Sequence, residues 1–342
     1  MKAAVYYTNS DVRVEEVPRP AAPPGGLVVK TAYCGVCVAD TMEWYNKPKA
    51  PIVLGHEATG IVAELGEGCE GFRVGDRVAV HHHVPCMTCE HCRAGRYTLC
   101  KTFKSTRYQP GGFCEYFAIT QRHAEEDTLL LPDGLGLKEA TLIEPLACVI
   151  HGIRRLHIQP HHRIAMIGAG AMGLMFVQAL RAYGLRDITV FDRIEWRLNM
   201  AEKLGAKVSS DAVGWRDAGG QADKVLVIAK DVSAIKLGFS LAAPGAEILL
   251  FATPGAGEMI PFDGNEAFFK ELTFSFAYSA DHNDTREALR LISEGLVDAS
   301  AMVTHTYPLS GLADAIAQTG GRGESLKCVI EVNPDPKIIG VK

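Results

Sequence analysis

A glycine-rich turn constrains the possible fold of this chain more than any other feature. Residues 168–173 read Gly-Ala-Gly-Ala-Met-Gly and lie between an apolar run of strand length and a helix rich in Ala, Met and Leu. In a G-x-G-x-x-G turn, Gly168 makes the bend, Gly170 lets backbone amides approach a pyrophosphate, and Gly173 allows the helix to pack closely. Met172 belongs to the same loop. The turn therefore predicts a dinucleotide site, and a glycine turn without a ligand is the alternative.

A rhythm of strands and helices continues beyond this turn. Strands are predicted at 163–167, 188–191, 224–228, 246–251 and 272–276, and helices at 173–183, 195–204 and 285–294. Alternation of this kind predicts a parallel sheet that is covered by helices on both faces.

An acidic residue stands where the second of these strands ends. The carboxylate of Asp192 would accept a hydrogen bond from a ribose 2′-hydroxyl and repel a 2′-phosphate, so the sequence favours NAD over NADP. Arg193 follows directly and weakens that preference, because a cation at this position could pair with a 2′-phosphate. We therefore expect NAD as the cofactor, with NADP less favoured.

The first 120 residues have a different pattern, with short β-rich runs broken by Gly and Pro. Examples are 26–31, 60–64 and 76–80, and β character returns at 328–332. Such spacing predicts a compact, barrel-like β domain. Because 342 residues are too many for a comfortable single core, two domains are expected.

Charge and hydropathy argue against several classes of partner. The formal net charge is −5, whereas a nucleic-acid or anionic-membrane partner would require clustered basic side chains. No apolar run approaches the roughly 18 residues that span a bilayer. The N-terminal segment turns polar at once and lacks the pattern of a signal peptide. We therefore expect a cytoplasmic protein without nucleic-acid or membrane partners.

Four cysteines lie within fifteen residues and form the most specific motif of the chain. They are Cys86, Cys89, Cys92 and Cys100. Four thiolates at this spacing can close a tetrahedral shell around one zinc ion, which leaves no position for substrate and makes the ion structural. A disulfide knot would need an oxidising compartment, which nothing here indicates. An iron–sulfur cluster, whose cysteines are similarly spaced, is the remaining alternative.

A second, more dispersed set of metal-binding side chains precedes this motif. Cys34 and Cys37 form a C-x-x-C pair, Asp40 follows closely, and His56 and Glu57 come after a strand-like run. One thiolate, one imidazole and one carboxylate would leave an open position on zinc, as catalytic sites do. Alternatively, the cysteines form a redox pair and His56 is a buried turn residue.

These motifs occur in a characteristic order together with the Gly111–Tyr116 run. As a set they resemble the zinc-containing medium-chain dehydrogenases, in particular the branch of sorbitol and threonine dehydrogenases, over essentially the whole chain. The resemblance implies a Rossmann domain with a doubly wound parallel sheet and a GroES-like β-barrel catalytic domain. It implies a catalytic domain at 1–148, an NAD-binding domain at 149–285, and a return to the catalytic domain at 286–342.

The same resemblance assigns roles to individual residues. Cys37, rather than Cys34, becomes the ligand of the catalytic zinc beside His56 and Glu57. Glu144, in an Ile-Glu-Pro-Leu run, matches the acidic residue that closes the shell directly or through water, and this run favours the polyol branch. Asp40 matches a carboxylate that orients a metal ligand.

Two further basic residues match cofactor contacts of the family. Arg197 resembles an arginine that packs on the adenosine half of NAD, and Lys327 resembles a basic residue that reaches the cofactor phosphate. Both expectations rest on the resemblance alone.

One departure from the family pattern concerns proton transfer. Relatives usually carry Ser or Thr two residues after the zinc cysteine, but this chain has Ala39, which lacks a hydroxyl. Thr41 is one replacement. The His81-His82-His83 run lies where relatives line the substrate cleft, and we hypothesise that His82 relays the proton or binds the substrate hydroxyl. A water chain, with the three histidines in a polar surface loop, is the alternative.

The expected activity is zinc-assisted hydride transfer from a secondary alcohol to NAD, which gives a ketone. The substrate class is a polyol, sugar, amino-cyclitol or amino alcohol, and a homodimer or homotetramer is expected. Turnover of primary alcohols or aldehydes by the same groups is one alternative. A catalytically silent NAD-binding regulatory protein is another, and only Ala39 favours it.

Overall fold

Two compact units make up the chain in this computed structural model, which describes residues 1–253, 255–260, 262–321 and 323–333. The first unit contains Met1–Pro145, Asp281–Ser293 and the described residues from Asp298 onward. The second contains Leu146–Ala280 and Glu294–Val297. Residues 281–285, which the sequence-based division placed in the cofactor domain, thus belong to the first unit.

Sixteen strands and twelve α-helices are assigned within the described residues. The strands are β1 Lys2–Thr8, β2 Asp11–Glu16, β3 Leu27–Gly35, β4 Ile52–Val53, β5 Glu57–Leu65, β6 Arg77–Val80, β7 Tyr116–Ile119, β8 Thr128–Leu130, β9 Ile164–Ile167, β10 Ile188–Phe191, β11 Lys207–Ser209, β12 Ala222–Val227, β13 Ala242–Leu250, β14 Thr273–Phe276, β15 Val303–Pro308 and β16 Lys327–Glu331. The helices are α1 Glu43–Asn46, α2 Glu90–Arg93, α3 Lys101–Ser105, α4 Gln121–Asp127, α5 Ile143–Arg154, α6 Ala171–Ala182, α7 Glu195–Lys203, α8 Ala212–Asp217, α9 Val232–Ser240, α10 Gly264–Phe269, α11 His282–Ser293 and α12 Leu312–Gly320.

The second unit contains the parallel sheet that the alternating pattern predicts. Its six strands lie in the order β11-β10-β9-β12-β13-β14, and every neighbouring pair is parallel. All residues of β9 and β10 are buried, as expected for apolar strands covered on both faces. The order reverses direction at β9, so the turn after β9 lies at the point where such sheets bind ligands.

The first unit is built around β3. A seven-stranded sheet has the path β15-β16-β3-β5-β6-β8, with β7 also paired to β3, and a separate sheet has the order β2-β1-β4. Apolar side chains of these strands form one core, which includes Tyr6, Leu27, Phe113 and Phe117, each 0% exposed. β5 and β16 lie on either side of β3, and this arrangement decides which side chains meet at its end.

Helix boundaries differ from the sequence-based prediction by two or three residues. Helix α6 begins at Ala171 rather than Gly173, because Gly170 caps it and the glycine turn is part of the helix start. Helix α11 begins at His282 rather than Thr285. Within the described residues, no helix is long and apolar enough to cross a membrane.

Candidate active site and metal centres

The four cysteines between β6 and β7 converge on one point. The sulfur atoms of Cys86, Cys89, Cys92 and Cys100 all lie within 4.8 Å of one another. The Sγ–Sγ distances are 3.5 Å for Cys89–Cys92 and 3.9 Å for Cys86–Cys92. Four sulfurs about 2.3 Å from a tetrahedral zinc ion lie about 3.8 Å apart, so the arrangement fits that ion.

The protonation chemistry of this lobe also fits a cation. Hydrogen bonds from Thr88 and Cys89 lower the pKa of Cys86 to about 5, whereas burial and the neighbouring sulfurs raise the pKa of Cys92 to about 12. Backbone N–H groups already donate to Cys86 Sγ and Cys100 Sγ. A bound cation would allow all four thiols to be thiolates at neutral pH.

Cys37 is held by the chain reversal that follows β3. It caps a short 3₁₀ turn at 38–41, and its Sγ accepts from the N–H of Ala39 at 3.4 Å. Asp40 is buried, and its carboxylate accepts from the N–H of Cys37 at 2.9 Å. Asn46 donates to the carbonyls of Ala39 and Asp40, which ties the next helix to this turn. The sulfur position is therefore set by local backbone hydrogen bonds.

His56 and Glu57 lie at the start of β5, next to Cys37. Donor atoms of Cys37, His56 and Glu57 all lie within 4.8 Å of one another. His56 Nδ1 lies 3.8 Å from Asp40 Oδ1. Burial by itself lowers the pKa of His56, but the charges of Cys37 and Asp40 outweigh it and raise the pKa well above its ordinary value. The imidazole is thus surrounded by negative charge, as expected of a group that shares a cation with them.

Glu57 forms a buried ion pair at this centre. Its Oε1 accepts from Lys327 Nζ at 2.5 Å, and both side chains are almost fully buried. The sheet register explains the pairing, because β5 and β16 both flank β3 and Gly35 stands opposite Glu57 and Val329. A Cβ on Gly35 would lie 2.0 Å from Glu57 Oε2, so only glycine leaves room for the pair.

This contact gives Lys327 a partner that the sequence did not indicate. Lys327 donates to Glu57 in this structure, and its expected contact with a cofactor phosphate stays a prediction. Burial lowers the pKa of Lys327, but the charges of Glu57 and Cys37 outweigh it and raise the pKa above its ordinary value. The ammonium therefore stays charged and compensates the carboxylate. Lys327 is the first residue of β16 and is followed by apolar residues, a pattern that does not indicate an ion pair with Glu57.

The residues of this centre fit a zinc ion. They offer one thiolate, one imidazole and one carboxylate at short range, and the buried Glu57 Oε2 has no hydrogen-bond partner within the described residues. Three ligands of this kind leave a position for water or substrate. The arrangement therefore suits a catalytic ion better than a redox pair of cysteines, since Cys34 is fully buried and burial raises its pKa well above the ordinary value.

Glu144 lies near different side chains from those of the Cys37 centre, with which the resemblance placed it. It lies in the first turn of α5, and its carboxylate is within 4.8 Å of donor atoms of His81 and His82. Burial raises the pKa of Glu144, while the charge of His56 opposes that effect. Glu144 is thus an electrostatic neighbour of His56, and its place in the Cys37 shell stays a prediction.

Of the three consecutive histidines after β6, His81 is buried, whereas His82 and His83 are half-buried. His81 is 3% exposed, and its Nδ1 lies 2.9 Å from Asp127 Oδ2. The His82 ring lies 4.8 Å from the His56 ring, and burial together with neighbouring histidines lowers the pKa of His82 well below its ordinary value. His83 Nδ1 donates to the carbonyl of Thr106 at 2.7 Å. His82 is therefore a neutral imidazole close to the metal centre.

The glycine turn has the geometry that dinucleotide binding requires. Gly168 has φ +109°, which disfavours other residues, and a Cβ on Gly173 would lie 2.1 Å from the carbonyl oxygen of Gly168. Gly170 caps α6, with Met172 in its first turn. The first N–H groups of the helix are then available to a phosphate.

The charged residues beside this turn have defined partners. Asp192 accepts from the N–H of Ala169 at 2.7 Å and from that of Ile194 at 2.9 Å, which places its carboxylate against the turn. Arg193 is exposed and lies 3.5 Å from Asp231, so its charge is partly engaged. The Arg197 guanidinium lies over the turn, because its Nη1 would be 3.8 Å from a Cβ built on Gly170.

Sequence reasoning missed three residues around the metal centre. Two of them are Asp127 and Thr285. The Asp127 carboxylate accepts a hydrogen bond from His81 with one oxygen and from Thr285 Oγ1, at 2.5 Å, with the other, and Asp127, Thr285 and His81 are all buried. The third is Gly35, which leaves room for the Glu57–Lys327 pair. No local motif marks these positions, because their partners come from distant parts of the chain.

Comparisons with known proteins agree with this geometry. Residues 23–132 match the family described as alcohol dehydrogenase GroES-like domain, and residues 171–294 match the family described as zinc-binding dehydrogenase. Together the two matches cover more than half of the chain. The predicted fold class, a Rossmann-type parallel sheet with a GroES-like β domain, is therefore confirmed.

Individual relatives are similar over nearly the whole length. Sorbitol dehydrogenase from Bacillus subtilis is 30% identical over 97% of this chain and 98% of the relative. An alcohol dehydrogenase from Escherichia coli CFT073, solved with NADH, has a TM-score of 0.86 and 26% identity over 97% of this chain and 99% of that one. 2R,3R-butanediol dehydrogenase from Bacillus subtilis has a TM-score of 0.85 and 25% identity over the same shares.

The buried pair makes a prediction about stability. In the metal-free protein, replacing Lys327 with Met should leave Glu57 as an uncompensated buried anion and lower the free energy of unfolding by about 3–5 kcal/mol, measured by urea titration. The double variant Glu57→Gln/Lys327→Met should recover part of this loss, because the buried charge is then removed as well. A single variant as stable as the parent protein would contradict the inferred coupling.

Proposed function

We propose that this chain, which belongs to the zinc-containing alcohol dehydrogenase family and its sorbitol dehydrogenase-like branch, oxidises a secondary alcohol to a ketone and passes the hydride to NAD. The substrate class is a polyol, sugar, amino-cyclitol or amino alcohol. The observation that carries the proposal is the convergence of Cys37, His56 and Glu57 donor atoms within 4.8 Å in the first unit.

The side chains of the first unit divide the chemical tasks among them. A zinc ion on Cys37, His56 and Glu57 would polarise the substrate hydroxyl and lower its pKa, while NAD would accept the hydride. Asp40 positions both neighbours, since it accepts from the N–H of Cys37 and faces His56. The ammonium of Lys327 balances the negative charge of Glu57 when the centre holds no metal ion.

The proton of the substrate hydroxyl must leave without a hydroxyl on residue 39. Thr41 is a poor replacement, because its hydroxyl already donates to the carbonyl of Val38 at 2.8 Å. His82 lies beside His56, and its Nδ1 is buried without a hydrogen-bond partner among the described residues. The proton therefore leaves through His82 or through water.

The second unit is proposed to bind the cofactor, and the first to carry the chemistry. Asp192 is held against the glycine turn, where it favours a free ribose 2′-hydroxyl, and Arg197 covers the turn. Arg193 is partly engaged by Asp231, which supports NAD over NADP.

We also propose a homodimer or homotetramer in the cytoplasm. β14 is the last strand of its sheet within the described residues, and exposed aromatic side chains lie on and near it, with Phe276 62% and Phe269 75% exposed. An open strand edge with apolar side chains is a typical interface. Clustered cysteines that bind metal rather than form disulfides are typical of a reducing compartment such as the cytoplasm.

The metal centre supplies the central test of this function. Cys37→Ser should reduce kcat by several orders of magnitude and remove one zinc ion per chain relative to the parent protein, while the four-cysteine ion stays. Turnover would be measured on a panel of polyols, sugars, amino alcohols and primary alcohols, and zinc by elemental analysis.

Cys69→Ser, at a cysteine outside both metal sets, is the control and should change neither turnover nor zinc content. Full turnover by Cys37→Ser would refute the mechanism, and a parent protein inactive on every substrate would favour the silent alternative.

Cofactor preference tests the role of Asp192. We expect kcat/KM with NAD to exceed that with NADP by at least about tenfold, which corresponds to about 1.4 kcal/mol. Asp192→Ala should bring the ratio towards one. Asp187→Ala, at the opposite end of β10, should leave it unchanged, since that side chain pairs with Lys207. Equal efficiency with both cofactors in the parent protein would show that Arg193 outweighs the carboxylate.

The proton route is tested with two neighbouring histidines. His82→Ala should lower kcat by about 10²-fold and alter its pH profile if His82 accepts the proton or binds the hydroxyl. His83→Ala is the matched control, because the His83 ring is engaged with Thr106 and Phe103. An unchanged kcat in both variants from mildly acidic to alkaline pH would assign the proton to water.

A further inference from the structure

The short turn that follows Cys37 depends on side chains for its hydrogen bonds. It is the 3₁₀ segment 38–41 of the first unit, and it carries the buried Asp40. A turn of four residues cannot satisfy its own last carbonyl groups with backbone N–H groups. The hydroxyl of Thr41 donates to the carbonyl of Val38 at 2.8 Å, and the three carbonyls that follow have donors from other segments.

Two asparagines supply these three hydrogen bonds. Asn46, the last residue of α1, donates through Nδ2 to the carbonyls of Ala39 at 2.8 Å and Asp40 at 3.2 Å. Asn9, between β1 and β2, donates through Nδ2 to the carbonyl of Thr41 at 2.8 Å. We refer to Asn46 and Asn9 together as the asparagine clamp.

Both side chains of the asparagine clamp are themselves held in place. Asn46 is only 4% exposed. Asn9 Oδ1 accepts from the hydroxyl of Tyr6 at 2.7 Å, and Tyr6 is fully buried in the core of the first unit. Donors whose side chains are locked by packing and by further hydrogen bonds hold their acceptors in one position. The clamp therefore connects the turn to the rigid core rather than to a mobile surface.

The turn determines where two charged groups of the Cys37 centre lie. Cys37 Sγ accepts from the N–H of Ala39 at 3.4 Å, and Asp40 accepts from the N–H of Cys37 at 2.9 Å. The other carboxylate oxygen of Asp40 lies 3.8 Å from Nδ1 of His56. The thiolate and this carboxylate therefore move together with the turn, whereas Glu57 is held by the pairing of β5 with β3. A displaced turn would carry Cys37 away from the imidazole and from Glu57.

We propose that Asn46 and Asn9 are positioning residues of the Cys37 metal centre, because they fix the turn at the place where its thiolate can share an ion with His56. The inference rests on the proposed function, since it requires a metal ion on Cys37. Each asparagine contacts the turn through its amide nitrogen, which is a donor only and cannot bind a metal ion there. The clamp therefore acts through the carbonyl groups of the turn.

Cobalt binding measures this effect without turnover. The protein is prepared with zinc in the four-cysteine lobe and without metal at the Cys37 centre, and Co²⁺ is added while the thiolate-to-cobalt absorption is recorded. Asn46→Leu keeps a similar side-chain volume but removes both hydrogen bonds, and it should weaken cobalt binding by about 10–100-fold, as is typical when groups that support metal ligands are lost. Asn9→Ala should weaken it in the same direction. In turnover assays kcat should fall in both variants, while KM for NAD stays unchanged.

Asn333→Leu is the matched control. Asn333 Nδ2 also donates to two carbonyls, those of Thr31 at 2.6 Å and Glu115 at 3.4 Å, which lie outside the turn. Cobalt affinity of this variant should equal that of the parent protein, even where thermal unfolding shows a loss of stability. An equal loss of cobalt affinity in the control would overturn the proposal, because the effect would then be general destabilisation.

The variants of the clamp can also overturn the proposal directly. Unchanged cobalt affinity in Asn46→Leu would do so. If that variant does not fold, unchanged affinity in Asn9→Ala has the same meaning. The proposed function fails by a different result, namely a parent protein without thiolate-to-cobalt absorption, or with an absorption that persists in Cys37→Ser.

Discussion

The buried ion pair between Glu57 and Lys327 is the interaction on which the metal centre depends. Glu57 follows directly after His56, and Lys327 begins the strand on the other side of β3. The pair therefore joins residues 270 positions apart at the end of one central strand. Without Lys327, the Glu57 carboxylate of the proposed metal shell would be a buried, uncompensated charge whenever the centre holds no cation.

Glycine at residue 35 makes this arrangement sterically possible. Its register in β3 places it opposite Glu57, and any side chain there would occupy the volume of the carboxylate. Two residues later the chain turns and places Cys37, held by hydrogen bonds from its own short turn. Local backbone geometry thus positions the thiolate, whereas sheet pairing positions the carboxylate and its partner.

The four-cysteine lobe and the centre at Cys37 follow different physical rules. The lobe takes all its ligands from fifteen consecutive residues and needs a cation to hold four thiolates together. The Cys37 centre takes its ligands from two separate segments on a packed sheet, and its charges are balanced by protein groups. The first suits an ion that organises a loop, and the second suits an ion that remains open to substrate.

Local patterns in the sequence were enough to predict the parallel sheet, the glycine turn with Asp192 and the four-cysteine set, because these depend on residues close in the chain. The convergence of Cys37, His56 and Glu57 also followed from motif order, through resemblance to a family. The sequence could not predict that Lys327 would face Glu57, that His81 would pair with Asp127 and Thr285, or that Glu144 would lie beside His81 and His82. Those contacts come from strand register and packing between distant segments, and only the tertiary structure decides which buried charges share one space.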